Sequence, residues 1–394
     1  MDSISFLDNR KSGGGNTGAA SPKSKVDLWM FFGILPIICA GLIVMNDFVA
    51  ATGQSNFFDR QIIWASIGLL IILILSRIDF RFLRRTPIVT GIYVASVALL
   101  LMVFVFGYAA KGAKSWISLG GFSVQPADFA KLAIIIVLAK YFSRRHVEIR
   151  YIRHIIVSGV YAFILFFLVA LQPDFGSSLT IFLIWLGMVL VSGISKRHLL
   201  TVFLIGTIVF AGLWNFGFKN YQKERILNFL HPLADIRGSG YNAYQSVIAV
   251  GSGQILGKGV GYGTQSRLSF LPEYETDFIF AAFAEEWGFV GIILLFVLFG
   301  LVFARIFHTA LRGETNFETL YALGVAIFFM THIAINIGMN IGLMPVTGIP
   351  VPFMSYGGSH LLTECIAVGI LMGMGNYARP MHRDTIKNEF LGIA

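Results

Sequence analysis

Residues 271–303 read LPEYETDFIFAAFAEEWGFVGIILLFVLFGLVF, and the chain here passes from a polar loop straight into an apolar helix. The run that starts at Phe278 is interrupted only by two adjacent glutamates and is long enough to cross a membrane. We expect Thr276 or Asp277 to cap the helix, because a short polar side chain can accept from its first free amides. Three carboxylates stand within five residues just before it: Glu273, Glu275 and Asp277.

The composition of the whole chain is that of a membrane protein. Hydrophobic residues make up 56% of it and charged residues 13%, with a mean hydropathy of +0.74, whereas a soluble domain is about 25% charged. Its two cysteines, Cys39 and Cys365, lie in apolar runs and indicate neither a disulfide framework nor a metal-binding spacing. The net charge of +9 is better explained by its placement in loops than by nucleic-acid binding.

The hydropathy pattern predicts an all-α polytopic membrane protein with about ten transmembrane helices. A disordered cytoplasmic tail is expected at 1–26, a transmembrane domain at 27–380 and a cytoplasmic tail at 381–394. Residues 218–277 form a large extracytoplasmic loop between spans seven and eight. The predicted spans are 28–45, 57–75, 87–108, 128–142, 154–171, 178–193, 199–218, 278–306, 320–344 and 360–374.

Basic residues sort the loops into two sets. They gather before span one and after every even-numbered span, so the positive-inside rule places these segments and both termini in the cytoplasm. The odd-numbered loops are instead rich in Gly, Pro, Ser and aromatic residues, which favours specific turns and an extracytoplasmic site. The basic residues are Lys23, Lys25, Arg77, Arg81, Arg84, Arg85, Arg144, Arg145, Arg150, Arg153, Lys196, Arg197, Arg305, Arg312, Arg379, Arg383 and Lys387.

Loop seven is too long to be a passive connector. The apolar spacing over 241–250 predicts a short amphipathic helix in the membrane interface. Six glycines follow within 251–263, and they indicate either a flexible hinge or a nest of backbone amides near a diphosphate. Beyond the loop, Ala281, Ala284 and Gly288 are expected on one face of the eighth span, where small residues allow close packing or a lipid groove.

Five motifs occur in order along the chain and together resemble the SEDS family (shape, elongation, division and sporulation). The resemblance covers nearly everything after the N-terminal tail. The run Asn336–Met339 is more similar to the elongation protein RodA than to the division protein FtsW. The chain departs from the usual family pattern at Ser115, Ala127, Glu275 and His360. The motifs are KSWISLGGFSVQPADFAKLA, LQPDFGSSL, GSGQILGKGVGYGTQ, TDFIFAAFAEEWGFVG and NIGMNIGLMPVTGIPVPFMSYGGS.

The resemblance implies a peptidoglycan glycosyltransferase of the bacterial cytoplasmic (inner) membrane. Such proteins polymerise lipid II, a lipid-linked disaccharide, into polyprenyl-linked glycan strands on the outer face of the membrane. They work in complex with a class B penicillin-binding protein, a transpeptidase that cross-links the strands. The essential aspartate of the family falls on Asp277, which would take the proton of an acceptor sugar hydroxyl in an inverting displacement of polyprenyl diphosphate.

Several residues are candidates for binding the substrate. A cation is needed to stabilise the leaving diphosphate, although a divalent ion (Mg or Mn) held by the acidic cluster is an alternative. Lys131 could instead form an i,i+3 ion pair with Asp128, and Trp116 could be an interfacial belt residue. No other cofactor is indicated. The substrate-binding candidates are Trp116, Lys114, Lys131, Glu273, Lys258 and Arg267, and Lys111 and Arg225 are further possible cations.

Two other functions compete with the enzyme. A lipid flippase or transporter could use Glu285, Glu286, His332 and Glu364 along a path through the membrane. Against it, the hydropathy pattern has no internal repeat and the unusual loops lie on one side only. A non-catalytic scaffold for a synthase is the second rival. The ridge His332, Asn336 and Asn340, spaced four residues apart, suits hydrogen bonding between helices.

Overall fold

The structure, a computed structural model, describes residues 26–52, 56–110, 113–119, 122–144, 152–212, 214–215, 220–231, 240–268, 270–271 and 273–377. The predicted tails at 1–26 and 381–394 lie outside the described residues, except for Val26. Helices form most of the described chain, and short strands occur only between the third and fourth of them.

The helices follow each other as α1 (Leu28–Thr52), α2 (Asn56–Leu75), α3 (Thr86–Phe106), α4 (Pro126–Ser143), α5 (Ile152–Leu171), α6 (Phe175–Val191), α7 (Lys196–Gly212), α8 (Asn220–Leu230), α9 (Tyr241–Ser252), α10 (Thr264–Arg267), α11 (Ile279–Arg312), α12 (Asn316–Asn340) and α13 (Gly358–Tyr377). A 3-10 helix, Phe80–Arg84, joins α2 to α3. Strands β1 (Tyr108–Ala110), β2 (Ala113–Leu119) and β3 (Phe122–Val124) form an antiparallel sheet in that order.

The polytopic helical fold predicted from hydropathy is confirmed. A helix occupies each of the ten predicted spans, and seven of these helices are long and apolar enough to cross a membrane. The number of spans therefore stays a prediction. The amphipathic helix expected in loop seven is present as α9. The small sheet in loop three, between α3 and α4, was not predicted, because strands of three residues leave almost no periodic signal.

The bundle has a buried centre and an apolar exterior. Only 22% of the α3 span is buried, against 78% of α13, and most of α4 is buried as well. Large apolar side chains of α7, such as Phe203 and Ile208, are exposed, which suits contact with lipid tails rather than water. The polar side chains of α4, α12 and α13 therefore face the protein interior, where each needs a partner.

Contacts between loops gather at two ends of the bundle. At the basic end, Arg84 pairs with Glu318 in α12, and Arg81 donates to the Tyr377 carbonyl over 2.7 Å. Burial lowers the pKa of Arg84, but hydrogen bonds with Glu318 and Glu314 outweigh this, and the net pKa is raised. The guanidinium therefore stays charged and holds the α11–α12 turn.

The opposite end collects the odd-numbered loops. Gln125 donates to Asp174 over 2.6 Å, and Gly176 packs against the carbonyl of Thr347. The loops before α4, before α6 and before α13 therefore meet at one end. Which of the two ends faces the cytoplasm rests on the positive-inside rule.

Helix α11 is broken at Gly288, where φ is 63° and ψ is −164°. The glycine-rich segment 253–259 fills the break with its own backbone. The small-residue face expected for Ala281, Ala284 and Gly288 therefore ends at the break, where backbone of this segment packs against it. The bonds across the break are Lys258 N to Glu285 O (3.0 Å), Gly259 N to Glu286 O (3.0 Å), Phe289 N to Gln254 O (2.9 Å) and Val290 N to Ile255 O (3.1 Å).

The same contact argues against both interpretations of the glycine-rich segment over 253–259. A Cβ atom on Gly253 or Gly257 would clash with carbonyls of α11, so the glycines allow backbone to pack on backbone. The segment is therefore neither a free hinge nor an open nest over 253–259, since the amides of Lys258 and Gly259 donate to α11 instead of a phosphate.

Candidate active site

Asp277 lies directly before α11 and is held there by its main chain. Its carbonyl accepts from Asn336 Nδ2 over 2.9 Å and from Asn340 Nδ2 over 3.1 Å. The two asparagines are buried and one turn apart on α12, so both amides reach the same atom. Two residues of the predicted polar ridge, Asn336 and Asn340, therefore fix the position of Asp277.

The two carbonyls before Asp277 are anchored as well. Ser355 Oγ donates to the Thr276 carbonyl over 2.7 Å, and the Tyr356 amide donates to the Glu275 carbonyl over 2.8 Å. Three successive carbonyls thus accept hydrogen bonds from α12 and from the loop before α13. Since each bond holds only backbone, the side chain of Asp277 is positioned without its carboxylate being consumed by these donors.

The predicted helix cap is wrong. Phe278 is the N-cap residue of α11 and no side chain caps this end, because the chain turns tightly before it. The amides of Asp277 and Phe278 both donate to the Glu273 carbonyl, at 3.1 and 3.2 Å, with Glu273 at a φ of 56°. Asp277 therefore stands just outside the helix, half-buried, with its carboxylate near loop nine, the segment 341–357 between α12 and α13.

Gly348 of loop nine lies beside the Asp277 carboxylate. A Cβ atom at this glycine would lie 3.3 Å from Asp277 Oδ2, and the φ of the residue is 76°. Asn336 Nδ2 also donates to the neighbouring Ile349 carbonyl over 2.7 Å. One asparagine thus holds the acid and the loop beside it, and the glycine places no side chain against the carboxylate.

The other two carboxylates of the cluster differ in burial. Glu273 is half-buried, and its carboxylate is 3.3 Å from the Thr276 hydroxyl, whereas Glu275 is buried. Burial, together with the charge of Glu275, raises the pKa of the Tyr274 phenol, which therefore stays protonated at any physiological pH. The divalent ion considered for this cluster remains an expectation.

A cleft beside loop nine brings one of the possible cations close to this site. Arg225 of α8 lines it together with Thr347, the residue before Gly348. The cleft is therefore next to the loop that covers Asp277. Its walls come from α6, α8 and loop nine and consist of Phe175, Gln222, Arg225, Ile226, Pro345, Val346 and Thr347.

Two predicted lysines are held in ion pairs. Lys131 Nζ lies 3.0 Å from Asp128 Oδ1, both side chains being buried, so the i,i+3 pair is confirmed. Lys258 Nζ lies 2.6 Å from the buried Glu285 and 2.7 Å from the Thr264 hydroxyl. Lys258 thereby balances the carboxylate of Glu285 inside the bundle, where an unpaired charge is costly.

The remaining candidates lie in the loop-three sheet and in α10. Trp116 is a half-buried residue of β2 whose register partner is Tyr108 of β1. The side chains of Lys114 and Arg267, and all of Lys111, lie outside what the structure describes. The sequence named Arg225 as a possible cation, but it gave Asn336 and Asn340 no role at Asp277, although their spacing was a usable signal.

Comparison with known proteins adds to this geometry. The family model for FtsW, RodA and SpoVE, described as "Cell cycle protein", matches residues 21–379. The chain belongs to the FtsW/RodA/SpoVE family. The chain is similar to "Peptidoglycan glycosyltransferase MrdB" of Escherichia coli K12. The two are 35% identical over 350 residues, which span 88% of this chain and 94% of that relative.

Two solved structures of the FtsW/RodA/SpoVE type share the fold. A chain of a peptidoglycan synthase complex, solved to explain the coordination of polymerization and crosslinking, superposes with a TM-score of 0.76 at 29% identity, covering 90% of this chain and 99% of that one. The rod shape determining protein RodA of Thermus thermophilus gives a TM-score of 0.66 at 27% identity, covering 90% and 97%. The SEDS resemblance read from the motifs is thereby confirmed.

Proposed function

We propose that the chain is a peptidoglycan glycosyltransferase that polymerises lipid II, with Asp277 as the general base. The observation that carries the proposal is the half-buried position of Asp277, whose backbone is held by α12 and whose carboxylate lies beside Gly348. A general base must be fixed in place yet reachable by the proton that it accepts. The name of the E. coli relative supports the same activity.

The reaction is a single displacement. The acceptor sugar oxygen forms a bond to the anomeric carbon of the donor as its proton passes to Asp277. The bond between that carbon and the diphosphate oxygen breaks, and the electron pair leaves with polyprenyl diphosphate. A cation near the leaving oxygens stabilises the charge that develops there, and Arg225 in the adjacent cleft is suited to this role.

The proposal also covers the membrane face on which the enzyme acts, its partner and its cellular role. We place the Asp277 end on the outer face of the cytoplasmic membrane, following the charge of the loops, with lipid II reaching it from the bilayer. The synthase complex among the similar structures supports a class B penicillin-binding protein as partner. The Asn336–Met339 run and the similarity to a rod shape determining protein favour a role in elongation over division.

The test is polymerisation of purified lipid II in detergent, where a flippase or transporter would make no polymer. Asp277→Asn keeps the shape of the side chain but removes its basicity, so we expect the rate to fall by about 10²–10⁴-fold. Glu273→Gln serves as the control for charge at the same turn and should lose much less. The assay is run with and without Mg²⁺ or Mn²⁺, which decides whether a divalent ion is needed.

Two results would contradict the proposal at different levels. Full activity of Asp277→Asn would remove the base assignment while leaving the enzyme in place. No polymer from the wild-type chain, alone or with its transpeptidase partner and either ion, would overturn the enzymatic function.

A further inference from the structure

A second cluster of polar side chains lies inside the bundle and has no part in the proposed reaction. It consists of His332 on α12 and of His360 and Glu364 on α13, all of them buried. One ligand atom from each of the three lies within 4.8 Å of the other two. The imidazole rings are nearly parallel, 16° apart, with centroids separated by 4.9 Å. The three side chains thus converge on one point in the protein interior.

His332 and Glu364 each have one atom hydrogen-bonded to a neighbour outside the cluster, and His360 has a carboxylate nearby. His332 Nδ1 lies 3.3 Å from the Pro350 carbonyl, and Glu364 Oε2 accepts from the Phe353 amide over 2.8 Å. His360 Nδ1 faces Asp128 Oδ1 at 3.7 Å. Partners of this kind orient metal-binding side chains, and a carbonyl or a carboxylate on one ring nitrogen leaves the lone pair of the other nitrogen for the metal.

The atoms that face one another within the cluster make no hydrogen bond. Among the described residues, His332 Nε2, His360 Nε2 and Glu364 Oε1 are buried and unsatisfied, as is His360 Nδ1 on the side of Asp128. His360 Nε2 and Glu364 Oε1 are 2.8 Å apart, but their directions do not suit a hydrogen bond. A buried polar atom without a partner costs about 1–3 kcal/mol, so three of them in one place call for a common partner.

We infer that His332, His360 and Glu364 bind a divalent transition-metal ion. Two imidazoles and one carboxylate are a ligand set for Zn²⁺ and similar ions, and a poor one for Mg²⁺ or Ca²⁺, which take oxygen ligands. The ion would accept the lone pairs of the three unsatisfied atoms and leave its fourth position to water. No step of the proposed reaction is involved, so the site stands or falls independently of that proposal.

The charges around the cluster leave room for a cation. Lys131 neutralises Asp128 in their ion pair, and Asp128 also accepts from the Ser359 hydroxyl over 2.9 Å. The carboxylate of Glu364 is then the negative charge left for the ion. The competing arrangement has no ion. In it His360 is protonated on both ring nitrogens, with Nδ1–H directed at Asp128 and Nε2–H directed at Glu364. It would satisfy His360 and Glu364 but would leave His332 Nε2 without a partner.

The ion would have a structural role, because it would lie between α12 and α13 at the base of loop nine. His332 and Glu364 bind loop nine through Pro350 and Phe353, and this is the loop that carries Gly348 beside Asp277. A metal that joins α12 to α13 therefore fixes the base of the loop. We expect its removal to lower the thermal stability of the chain.

The first experiment uses the wild-type full-length chain, purified in detergent, stripped with EDTA and titrated with Zn²⁺. We expect about one tightly held zinc per chain by elemental analysis, with a rise in the thermal unfolding midpoint. X-ray absorption at the zinc edge should show nitrogen and oxygen ligands at about 2.0–2.1 Å. Failure to retain zinc, or sulfur among the ligands, would overturn the site without any variant being needed.

Variants then assign the ligands. His332→Gln and Glu364→Gln should weaken zinc binding at least tenfold and abolish the zinc-dependent rise in stability. Asp128→Asn removes the carboxylate that faces His360 and that also pairs with Lys131, and it should cost about 10–100-fold in affinity. His154→Gln is the matched control, because His154 is a buried histidine on α5 that bonds Tyr141 over 2.8 Å. Equal zinc affinity in His332→Gln and His154→Gln would contradict the assignment, and Asp277→Asn should bind zinc as the wild type does.

Discussion

Gly348 shows how much of the proposed chemistry depends on one residue without a side chain. Gly348→Ala would put a methyl group 3.3 Å from the Asp277 carboxylate at a φ of 76°. We expect a loss of at least tenfold in polymerisation rate, because the methyl group takes the space beside the base. Gly342→Ala is the control, since that glycine has the same φ of 76° but would contact Val247 instead. Both variants should lose about 1–2 kcal/mol of stability, so an equal loss of rate would argue against crowding at Asp277.

Asn336 makes a second prediction at the same scale. Its Nδ2 donates to the carbonyls of Asp277 and Ile349, and Asn336→Asp replaces that donor by an acceptor of equal shape. The Ile349 carbonyl then loses this partner at about 1–3 kcal/mol, and the Asp277 carbonyl keeps only the bond from Asn340, so the unfolding midpoint and the rate per folded molecule should both fall. Asn376→Asp is the control at the basic end, where Asn376 donates to the Ser76 carbonyl over 2.8 Å. It should lower stability alone, and a comparable loss of rate in this control would refute the positioning role of Asn336.

Among the elements, the break in α11 has the clearest consequence. Gly288 has a φ of 63° and a ψ of −164°, and a Cβ atom there would clash with the Gly257 amide. Gly288→Ala should therefore unfold or mispack the loop, which limited proteolysis and a thermal scan in detergent would detect. Gly300→Ala in the same helix meets open space and should be neutral or stabilising by up to about 1 kcal/mol. If the two alanines behave alike, the glycine-to-glycine contact is not what shapes this helix.

How far the sequence predicts an element depends on whether its signal is periodic or conformational. Apolar runs predicted all ten long helices, because burial in lipid demands them. The break at Gly288 was missed, since its cause is the approach of segment 253–259, far away in the chain. For the same reason the Asp277 turn was mistaken for a helix cap: the donors to Asp277 come from α12 and could not be seen from the local sequence. The convergence of His332 with His360 is equally a product of packing.

The whole molecule has two chemically different ends, and their orientation is a prediction of its own. Arg84 and its acidic partners lie at one end, and Asp277 with loop nine lies at the other. The energetics of insertion put basic loops in the cytoplasm, so the Asp277 end should face outward. In a background with Cys39 and Cys365 replaced by alanine, Ser123→Cys should react with a membrane-impermeant maleimide in intact cells or, where an outer membrane exists, in spheroplasts.

Arg77→Cys is the matched probe at the basic end, because Ser123 and Arg77 are both exposed in the structure. It should react only after the cytoplasmic membrane is permeabilised. The reverse pattern would place Asp277 on the cytoplasmic side, where no glycan strand could be released outward, and the proposed function would lose its site. Labelling of both probes in intact cells would mean that the membrane was leaky, which a cytoplasmic marker protein detects, so the comparison is scored only where that marker stays unlabelled.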